Sequence, residues 1–336
     1  MAILLKDMRI GMQNKVAQHV VDTFIRKSEI LELLPFDNSV SPNGAGSTLI
    51  YGYNQKKLPS NTAFRALNTE YKASEAKQEH KTVELKVFGG AFEIDRVIKD
   101  AEGQYNNMAY QLEEKITSAV GTFHNAMING DSGVDALSFD GLDKFLVGQS
   151  TEYNTDAVID LSTTAKLKEN ADEFYEALLK LINSTGAHAL MCNETAKTKI
   201  QSVARHLGFK TESEEAFGRT VTTIGEGKVR IIDLGNVVTQ TGEGDEAVAV
   251  ETPIINTKSR TVGGAAATGL TDIYAVRFAV QDGFHGVTIT GDNGIKHYLP
   301  DFKTSGAVKT GEVEMVACVA LKNTKAAAVL RNVKVI

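Results

Sequence analysis

The sequence predicts an α+β protein organised around one long helix. Between about residues 95 and 128 there is no proline, and apolar residues recur every three or four positions, which is the spacing of one face of an α-helix. Segments in which polar and apolar residues alternate, as they do in β-strands, lie on both sides of this stretch. At about 1.5 Å per residue the helix would be about 50 Å long, which is more than the core of a small domain needs.

The predicted helix has a continuous apolar stripe, formed by Ala109, Leu112, Ile116, Val120, Phe123 and Met127. Its outer face is polar, with Gln111 and Lys115 among its residues. The pattern stops at Asn129 and Gly130, and a residue that tolerates a positive φ angle is the usual end of a helix. We therefore expect the helix to end at Gly130 for this conformational reason.

The composition is that of a soluble globular protein. The chain has 336 residues, 42% of them apolar and 23% charged, which is enough for two domains with separate cores. A net charge of -6 argues against a dedicated nucleic-acid-binding protein, because such proteins neutralise phosphates with lysine and arginine. No apolar run has the length of about 20 residues that spans a bilayer, and the first residues lack a signal-peptide pattern. We therefore expect synthesis in a cytoplasm and no membrane contact.

The N-terminal 35 residues predict an amphipathic helix, whose apolar positions are Leu5, Met8, Met12, Val16, Val20 and Phe24. Its polar face mixes acidic and basic residues, which favours packing on protein over binding to a membrane. Two alternating segments, 48–53 and 81–88, then predict a long hairpin whose polar tip is 54–61. A two-stranded hairpin buries too little apolar area to be stable alone, so we expect it to lean on another surface. Gly89 and Gly90 predict a bend or a close approach of two backbones.

Residues 161–284 predict a compact α/β unit. It contains helices over 171–181 and 194–208, a buried strand over 188–192, and strands over 228–234 and 246–250 that flank an acidic turn at 241–245. The glycine-rich stretch 263–269 is interpreted as a mobile surface loop. In the C-terminal section, strands are predicted over 286–290, 312–321 and 326–336, the last two paired as a hairpin. Cys192 and Cys318 are predicted to be buried free thiols.

The end of the long helix carries a resemblance to a known family. The run F-x-x-A-M-I-N-G-D-S-G, from Phe123 to Gly133, is followed by the turn Phe139-Asp140-Gly141-Leu142. This arrangement resembles the spine helix and following loop of tailed-bacteriophage major capsid proteins of the Hong Kong 97 type. The resemblance implies an N-terminal arm at 1–36, an extended loop and a peripheral-domain strand at 37–94, a peripheral domain with the spine helix at 95–160, an axial domain at 161–284, and peripheral strands at 285–336.

The resemblance also implies which residues contact neighbouring subunits. They are Asn54, Lys56, Lys57 and Pro59 at the tip of the extended loop, and Val16, Val20 and Phe24 on the arm. Certain relatives join a loop lysine to an asparagine of a neighbour through an isopeptide bond. Lys56 and Lys57 occupy suitable positions for this bond, although the asparagine and glutamate partners have no matching motif here.

The sequence contains no complete set of catalytic residues. Gly130-Asp131-Ser132-Gly133 spells the run around the nucleophile of chymotrypsin-like proteases, but it ends a helix, and Val134 replaces the next glycine. Leu270 follows the glycine-rich stretch where a phosphate-binding loop requires lysine. Asp131, Asp135, Asp140 and Asp143 do not have EF-hand spacing and are interpreted as capping or solvated residues. The seven histidines form no H-x-x-x-H or H-E-x-x-H pair, so neither a metal nor a cofactor is expected.

The sequence therefore predicts a structural protein and not an enzyme. The resemblance implies a major capsid protein that assembles into pentamers and hexamers and closes an icosahedral shell around double-stranded phage DNA, without sequence-specific binding. Its location would be the virion, assembled in the bacterial cytoplasm, with scaffolding and portal proteins as further partners. An encapsulin-like compartment remains open as an alternative within the same fold. A serine hydrolase that uses Ser132 remains open as an alternative of another class.

Overall fold

A computed structural model describes residues 28–39, 48–58, 60–100, 107–208, 212–216, 219–224, 229–241, 248–289 and 295–336. Within these residues, the helices are α1 (Glu29–Leu33), α2 (Arg96–Asp100), α3 (Asn107–Asn129), α4 (Leu142–Leu146), α5 (Thr164–Glu169), α6 (Ala171–Thr185) and α7 (Glu194–His206), with a 3-10 turn at Thr324–Ala326. The strands are β1 (Phe36–Asn38), β2 (Ile50–Leu58), β3 (Lys77–Glu84), β4 (Lys86–Asp95), β5 (Glu152–Tyr153), β6 (Ile159–Asp160), β7 (Ala189–Cys192), β8 (Glu212–Ala216), β9 (Arg219–Ile224), β10 (Val229–Asp233), β11 (Asn236–Thr241), β12 (Val248–Pro253), β13 (Lys258–Val262), β14 (Ala265–Val276), β15 (Phe284–Thr288), β16 (Ile295–Tyr298), β17 (Val308–Leu321) and β18 (Ala327–Lys334). The predicted α+β class is confirmed.

Helix α3 is the predicted long helix, and five of the six residues of its predicted stripe are buried. The buried positions are Leu112, Ile116, Val120, Phe123 and Met127, whereas Ala109 is exposed. The helix begins at Asn107, and the shorter α2 ends at Asp100. Continuity of one helix across 101–106 lies outside the described residues. The regular spacing of large apolar side chains is thus sufficient to identify the buried face of α3.

The helix ends where the sequence predicts, but the reason for the glycine is different. Gly130 does not have a positive φ angle. A side chain at this position would meet the Phe139 carbonyl oxygen at 2.1 Å and the Ala126 carbonyl oxygen at 2.4 Å. Gly130 is therefore required by the close approach of the returning chain, whose Gly141 N–H donates to the Gly130 carbonyl at 2.8 Å.

A five-stranded sheet lies against α3, in the order β1-β15-β17-β16 with β4 on the other edge of β17. Strand β17 is the centre of this sheet, because it pairs antiparallel with β15, β16 and β4 along its length. Its Ala317 is opposite Thr288 of β15 and Lys86 of β4. The sheet, α3 and α1 share one hydrophobic core.

A nine-stranded sheet forms the second layer, in the order β5-β18-β14-β7-β10-β9-β8, with β13 on β14 and β6 on β18. Strand β7 is buried on both faces, as predicted. Ala189 and Met191 face the core that α3 shares, whereas Leu190 and Cys192 face a second core formed with α5, α6 and α7. The helices α5–α7 therefore cover one face of this sheet, and the five-stranded sheet and α3 lie on the side of the other face.

The predicted C-terminal hairpin is wrong. Strand β17 belongs to the five-stranded sheet, whereas β18 pairs antiparallel with β14 in the nine-stranded sheet, with Val329 opposite Tyr274. The few residues between β17 and β18 therefore cross from one sheet to the other. The remaining predicted domain boundaries are not tested by these pairings and stay predictions.

Two other connections also differ from the sequence interpretation. Of the predicted mobile loop 263–269, only Gly263 and Gly264 form a turn, and residues 265–269 belong to β14. Both glycines have positive φ angles, 58° and 85°, as a two-residue hairpin turn requires. Strand β12 pairs with β11 and not with β10, which pairs with β7 and β9. The predicted buried thiols are confirmed, because Cys192 and Cys318 are both free and fully buried.

The approach of β4 to β17 gives a testable prediction at Gly89. A side chain at Gly89 would meet the Val313 carbonyl oxygen at 2.0 Å, whereas one at Gly90 would meet only the flexible Lys115 side chain at 3.3 Å. We expect Gly89→Ala to lower the free energy of unfolding by about 2 to 3 kcal/mol, because two paired strands must separate. Urea denaturation measures the loss, and Gly90→Ala is the matched control with a smaller effect. Equal stability of the two variants would contradict the argument.

Candidate assembly interface

The hairpin β2–β3 is longer than predicted, and its tip lies elsewhere in the sequence. Ile50 is opposite Glu84 at the base, Leu58 is opposite Lys77 at the other end, and residues 60–76 form the connecting segment, called here the far loop. The predicted tip at 54–61 is wrong, because Asn54 and Lys56 are paired inside the ladder.

Of the other residues predicted at this tip, Lys57 also lies in β2, and Pro59 is outside the described residues. The side chains of Lys56 and Lys57 are likewise outside the described part of the chain. The polar residues of this stretch predict a turn. In the structure both faces of the outer part of the hairpin meet solvent, so polar residues are compatible with a strand there. Their role in subunit contacts stays a prediction.

The base of the hairpin is attached to the body of the protein through Tyr51. Its hydroxyl donates to Asp37 Oδ2 at 2.6 Å, and Lys322 Nζ lies 3.6 Å from the same oxygen. Partial burial alone would raise the pKa of Asp37, but the bonds from Tyr51 and the Asn38 N–H, together with Lys322, hold that pKa below its usual value. Burial and Asp37 in turn raise the pKa of Tyr51. Gln55, further along β2, donates to the Leu321 carbonyl at 3.3 Å.

The far loop presents large apolar side chains to solvent. Phe64 is fully exposed, Leu67 is 90% exposed and Tyr71 is 66% exposed. The loop is nevertheless internally bonded, since Arg65 lies 5.2 Å from the Tyr71 ring centroid and donates to the Thr69 carbonyl at 3.1 Å. An ordered loop with adjacent exposed apolar residues is typical of a binding surface. The sequence analysis did not identify these residues. Large apolar residues in a polar stretch without a strand pattern could have indicated a binding surface.

The predicted arm contacts Val16, Val20 and Phe24 lie outside the described residues. The described chain begins at the base of the arm, where the Ser28 hydroxyl caps α1 by accepting from the Leu31 N–H at 3.1 Å. The same hydroxyl is 2.7 Å from His124 Nε2 on α3. Burial lowers the pKa of His124 to about 4, and a hydrogen bond to the Leu234 backbone acts in the opposite direction. A neutral His124 therefore ties the base of the arm to the long helix.

A buried ionic network fastens the segment after α3 to the nine-stranded sheet. Arg331 of β18 contacts Asp143 of α4, donates to Glu152 at 2.8 Å and donates to Asp272 at 3.0 Å. Arg260 of β13 forms two bonds with the same Asp272, at 2.6 and 2.5 Å. Asp143 was interpreted as a capping or solvated residue, which is wrong, because it shares this network. Its partners are distant in sequence, so no local pattern could reveal them.

The other three aspartates of that group cap the loop after α3, as predicted. Asp131 Oδ1 accepts from the Gly133 N–H, Asp135 Oδ1 from the Leu137 N–H and Asp140 Oδ1 from the Ser132 N–H. Lys144 Nζ then bridges Asp131 at 2.6 Å and Asp140 at 2.8 Å. These bonds fix the shape of the loop at 131–140.

In the described part of the chain, Ser132 lacks the neighbouring base that would activate it as a nucleophile. Its hydroxyl is 3.3 Å from Lys144 Nζ, and no described hydrogen bond joins it to a histidine. Hydrogen bonds to Asp131 and Asp140 raise the pKa of Lys144, so this amine keeps its proton and is a poor general base. His124, which lies upstream in the sequence, is bonded to Ser28 instead.

A groove lies beside the C-terminal end of α3. It has a volume of about 610 Å³, and its walls are the last two turns of α3, the beginning of β4 and the loop at 130–139. Val134 and Leu137 on its rim are 87% and 83% exposed. In the described residues no group of three or more His, Cys, Asp or Glu side chains is placed to hold a metal ion. No described helix is long and apolar enough to cross a membrane.

Comparisons with known proteins were informative at the level of structure. No family model matches the chain, and no curated protein matches it. The SrpI encapsulin complex of Synechococcus elongatus is similar in structure, with 15% identity, a TM-score of 0.55, and coverage of 91% of this chain and 87% of the other. A structure from Mycobacterium phage Bobi has 10% identity, a TM-score of 0.51, and coverage of 91% and 90%. The capsid of cyanophage P-SCSP1u has 12% identity, a TM-score of 0.50, and coverage of 90% and 88%.

The chain has the Hong Kong 97-type fold. In this fold α3 is the spine helix, and the hairpin β2–β3 with the far loop is the extended loop. The nine-stranded sheet and helices α5–α7 form the α/β part of the chain. The groove and the far loop are therefore surface features of a fold that recurs in shell proteins.

The network around Arg331 gives a prediction about stability. Arg331→Met would leave Asp143 and Glu152 without their guanidinium partner in a largely buried site. We expect a loss of about 3 to 5 kcal/mol in the free energy of unfolding, as for other broken buried ion pairs. Lys166→Met is the control, because its pair with Glu169 is exposed to solvent and should contribute little to stability. Chemical denaturation measures both, and a loss below 1 kcal/mol for Arg331→Met would contradict the expectation.

The neutral state of His124 gives a prediction about acid stability. Its pKa in the folded state is about 4, below the ordinary value of 6.5, so the unfolded chain binds more protons. The stability that depends on neutral His124 is present above pH 6.5 and is lost as the pH falls toward 4. We expect His124→Gln to make the fall of unfolding free energy between pH 6.5 and 4 shallower by about one proton. Denaturation at several pH values measures the slope.

The control for this experiment is His80→Gln, which removes an exposed histidine from β3. Some slope should remain in the His124 variant, because burial also lowers the pKa of His285 to about 4. Identical slopes for wild type and His124→Gln would show that folding does not lower the pKa of His124.

Proposed function

We propose that this protein is a shell-forming subunit of the capsid class, which assembles with copies of itself. The observation that carries the proposal is the Hong Kong 97-type fold over about nine-tenths of the chain. The extended loop supports it independently, because a two-stranded ribbon with Phe64, Leu67 and Tyr71 exposed has too little contact with its own chain. A second subunit supplies the missing apolar surface.

The specific role we propose is that of a major capsid protein of a tailed phage. Pentamers and hexamers would form by repetition of one contact around a rotation axis, and contacts between these rings would close an icosahedral shell. The shell would enclose double-stranded DNA without sequence-specific binding, in keeping with the net charge of -6. Scaffolding and portal proteins are the expected partners, the virion is the expected location, and the bacterial cytoplasm is the expected place of assembly.

An encapsulin-like compartment is the second candidate function. It is favoured by the similarity to the SrpI encapsulin complex, whose TM-score of 0.55 is higher than those of the two phage structures described above. The content of particles isolated from the native host distinguishes the two functions. DNA protected from nuclease supports the phage capsid, whereas a co-purifying cargo protein and no protected DNA support the compartment.

We propose that the chain has no catalytic activity. Two observations support this proposal: Lys144 keeps its proton, and the described hydrogen bond of His124 is to Ser28 and not to Ser132. A serine-directed fluorophosphonate reagent tests it, since an active hydrolase would be labelled at Ser132. Denaturing electrophoresis of assembled particles separately tests the predicted isopeptide bond at Lys56 or Lys57. A single monomer band would exclude that bond.

Electron microscopy of the purified protein, with light scattering on the same sample, tests the shell directly. Closed particles, or rings of five and six subunits, are the expected result. If the chain stays monomeric when expressed alone, co-expression with the scaffolding protein of its own genome is the next step. A monomer under both conditions would refute the proposal.

Shortening the extended loop should separate folding from assembly. We expect that replacing residues 60–76 by an Asn-Gly turn leaves the monomer folded, because Phe64 and its neighbours contribute nothing to the core. Particle yield should fall at least tenfold in the same microscopy assay. Asn68→Gly is the control, since Asn68 already has a φ angle of 63° and glycine tolerates that angle. Normal particles from the shortened chain would contradict the assigned role of the loop.

A further inference from the structure

Strands β11 and β12 form an antiparallel pair, called here the β11–β12 pair, which joins neither of the two large sheets. Its base lies against α3, where a Cβ atom on Gly121 would be 3.6 Å from the Asn236 carbonyl oxygen. Beyond this base, Val238, Thr239 and Gln240 are exposed. Two strands alone bury little apolar area, so a further strand on a free edge would stabilise them.

The direction of the backbone groups on β11 follows from its register. The Ile254 N–H donates to the Gly235 carbonyl at 3.1 Å, so these two residues form a hydrogen-bonded pair at the base. The register continues without a shift along β11, and hydrogen-bonded and non-hydrogen-bonded pairs alternate in an antiparallel ladder. The N–H and C=O groups of Val238 and Gln240 therefore point away from β12. In the described part of the chain, no strand pairs with this edge of β11.

The two edges of the β11–β12 pair differ in their protection. The same alternation places Glu251 and Pro253 at the outward positions of β12. A charged side chain and a residue without an N–H both protect an edge strand from pairing. The six residues of β11, by contrast, include neither a charged residue nor a proline. A further strand can therefore pair with β11, whereas the edge of β12 is protected.

The edge of β11 is complementary to itself. When two such edges run antiparallel with Thr239 opposite Thr239, each Val238 is opposite Gln240 of the other copy, and all their outward N–H and C=O groups are paired. The two Glu251 side chains would then be about 16 Å apart, at about 4.8 Å per strand and about 3.3 Å per residue. Their repulsion at this distance is largely screened. A second copy thus satisfies the edge without placing like charges together.

We propose that β11 of one subunit pairs antiparallel with β11 of a second copy, so that two β11–β12 pairs become one four-stranded sheet. Both copies use the same surface, so the contact is isologous and joins two subunits only. Such a contact does not continue around a ring. In the proposed shell it therefore joins subunits of two neighbouring rings across a two-fold axis, and this placement rests on the proposed shell function.

Cysteine cross-linking at the centre of the four-stranded sheet tests the contact. Thr239 would face its counterpart in a non-hydrogen-bonded pair, with Cα atoms about 4.5 Å apart, which is within disulfide range. After mild oxidation of assembled particles, we expect at least tenfold more disulfide-linked dimer from Thr239→Cys than from Val248→Cys. Val248 is the matched control, because it is also exposed on the β11–β12 pair but would lie about 20 Å from its counterpart. Native Cys192 and Cys318 are fully buried, which keeps the background low.

Electron microscopy of the same samples separates failure of this contact from failure of the shell function. Particles without dimers above the control would overturn the pairing of β11 and leave the shell function standing. Dimers without particles would support the pairing and overturn the shell function, and absence of both would overturn both. Mass spectrometry identifies the linked chains. A product that contains a different protein would mean that another chain covers the edge, which also overturns the proposal.

Proline substitutions give a second, independent measurement. Gln240→Pro removes an outward N–H from the edge of β11, and Ala249→Pro removes an outward N–H from the edge of β12. We expect Gln240→Pro to lower particle yield at least tenfold and Ala249→Pro to lower it less than twofold. Circular dichroism checks that both variants are folded. Equal yields from the two folded variants would contradict pairing through β11.

Discussion

The cluster of aromatic rings around Phe123 holds together segments that are far apart in the sequence. Phe36 of β1, Phe88 of β4 and Phe139 of the loop after α3 lie 6.0 to 6.2 Å from its ring centroid. Each such pair contributes about 0.5 to 1.5 kcal/mol beyond the burial of the rings. Strand β1 follows the base of the arm, and β4 follows the extended loop. The position of Phe123 therefore determines where the arm and the extended loop leave the rest of the protein.

The same helix, α3, also explains why the loop at 131–140 and the groove beside it are rigid. The close approach at Gly130 folds the loop at 131–140 back onto α3, and the network around Arg331 fixes the following helix α4 to the nine-stranded sheet. The groove is formed between these two fixed points and β4. Its shape therefore depends on buried contacts inside one subunit and not on the presence of a neighbour.

Sequence reasoning succeeded where the signal was local and one face was buried. The stripe of α3, the buried strand β7 and helix α7 with its Asn193 cap follow from spacing and capping chemistry. It failed for the extent of β2–β3, because a ribbon that meets solvent on both faces does not alternate. It also failed for β18, because adjacency in sequence favoured a hairpin with β17, whereas apolar strands buried on both faces carry no information about their partner.

The candidate interface was the least predictable part. Of the residues implied by the resemblance, Asn54 and Lys56 are paired inside the ladder, and the arm residues lie outside the described part of the chain. Phe64 and Leu67 have no periodic context in the sequence, so only the structure reveals their exposure. Val134 and Leu137 follow the helix end in a polar stretch, and their fixed exposure depends on Lys144, which is distant from Asp131 in sequence.

In the proposed shell, a subunit contact through the exposed Phe64 and Leu67 of the far loop would favour rings over isolated pairs. Burial of two large apolar side chains stabilises an interface by about 3 to 6 kcal/mol. Association of two proteins costs about 4 to 15 kcal/mol in lost translational and rotational freedom, so one such contact makes only a weak dimer. The last subunit of a ring forms two contacts while it loses this freedom once, which gives closure a large effective concentration. In the proposed shell, a loop contact that is weak in a pair would therefore be sufficient for a closed ring, and it would leave incomplete assemblies free to dissociate and correct themselves.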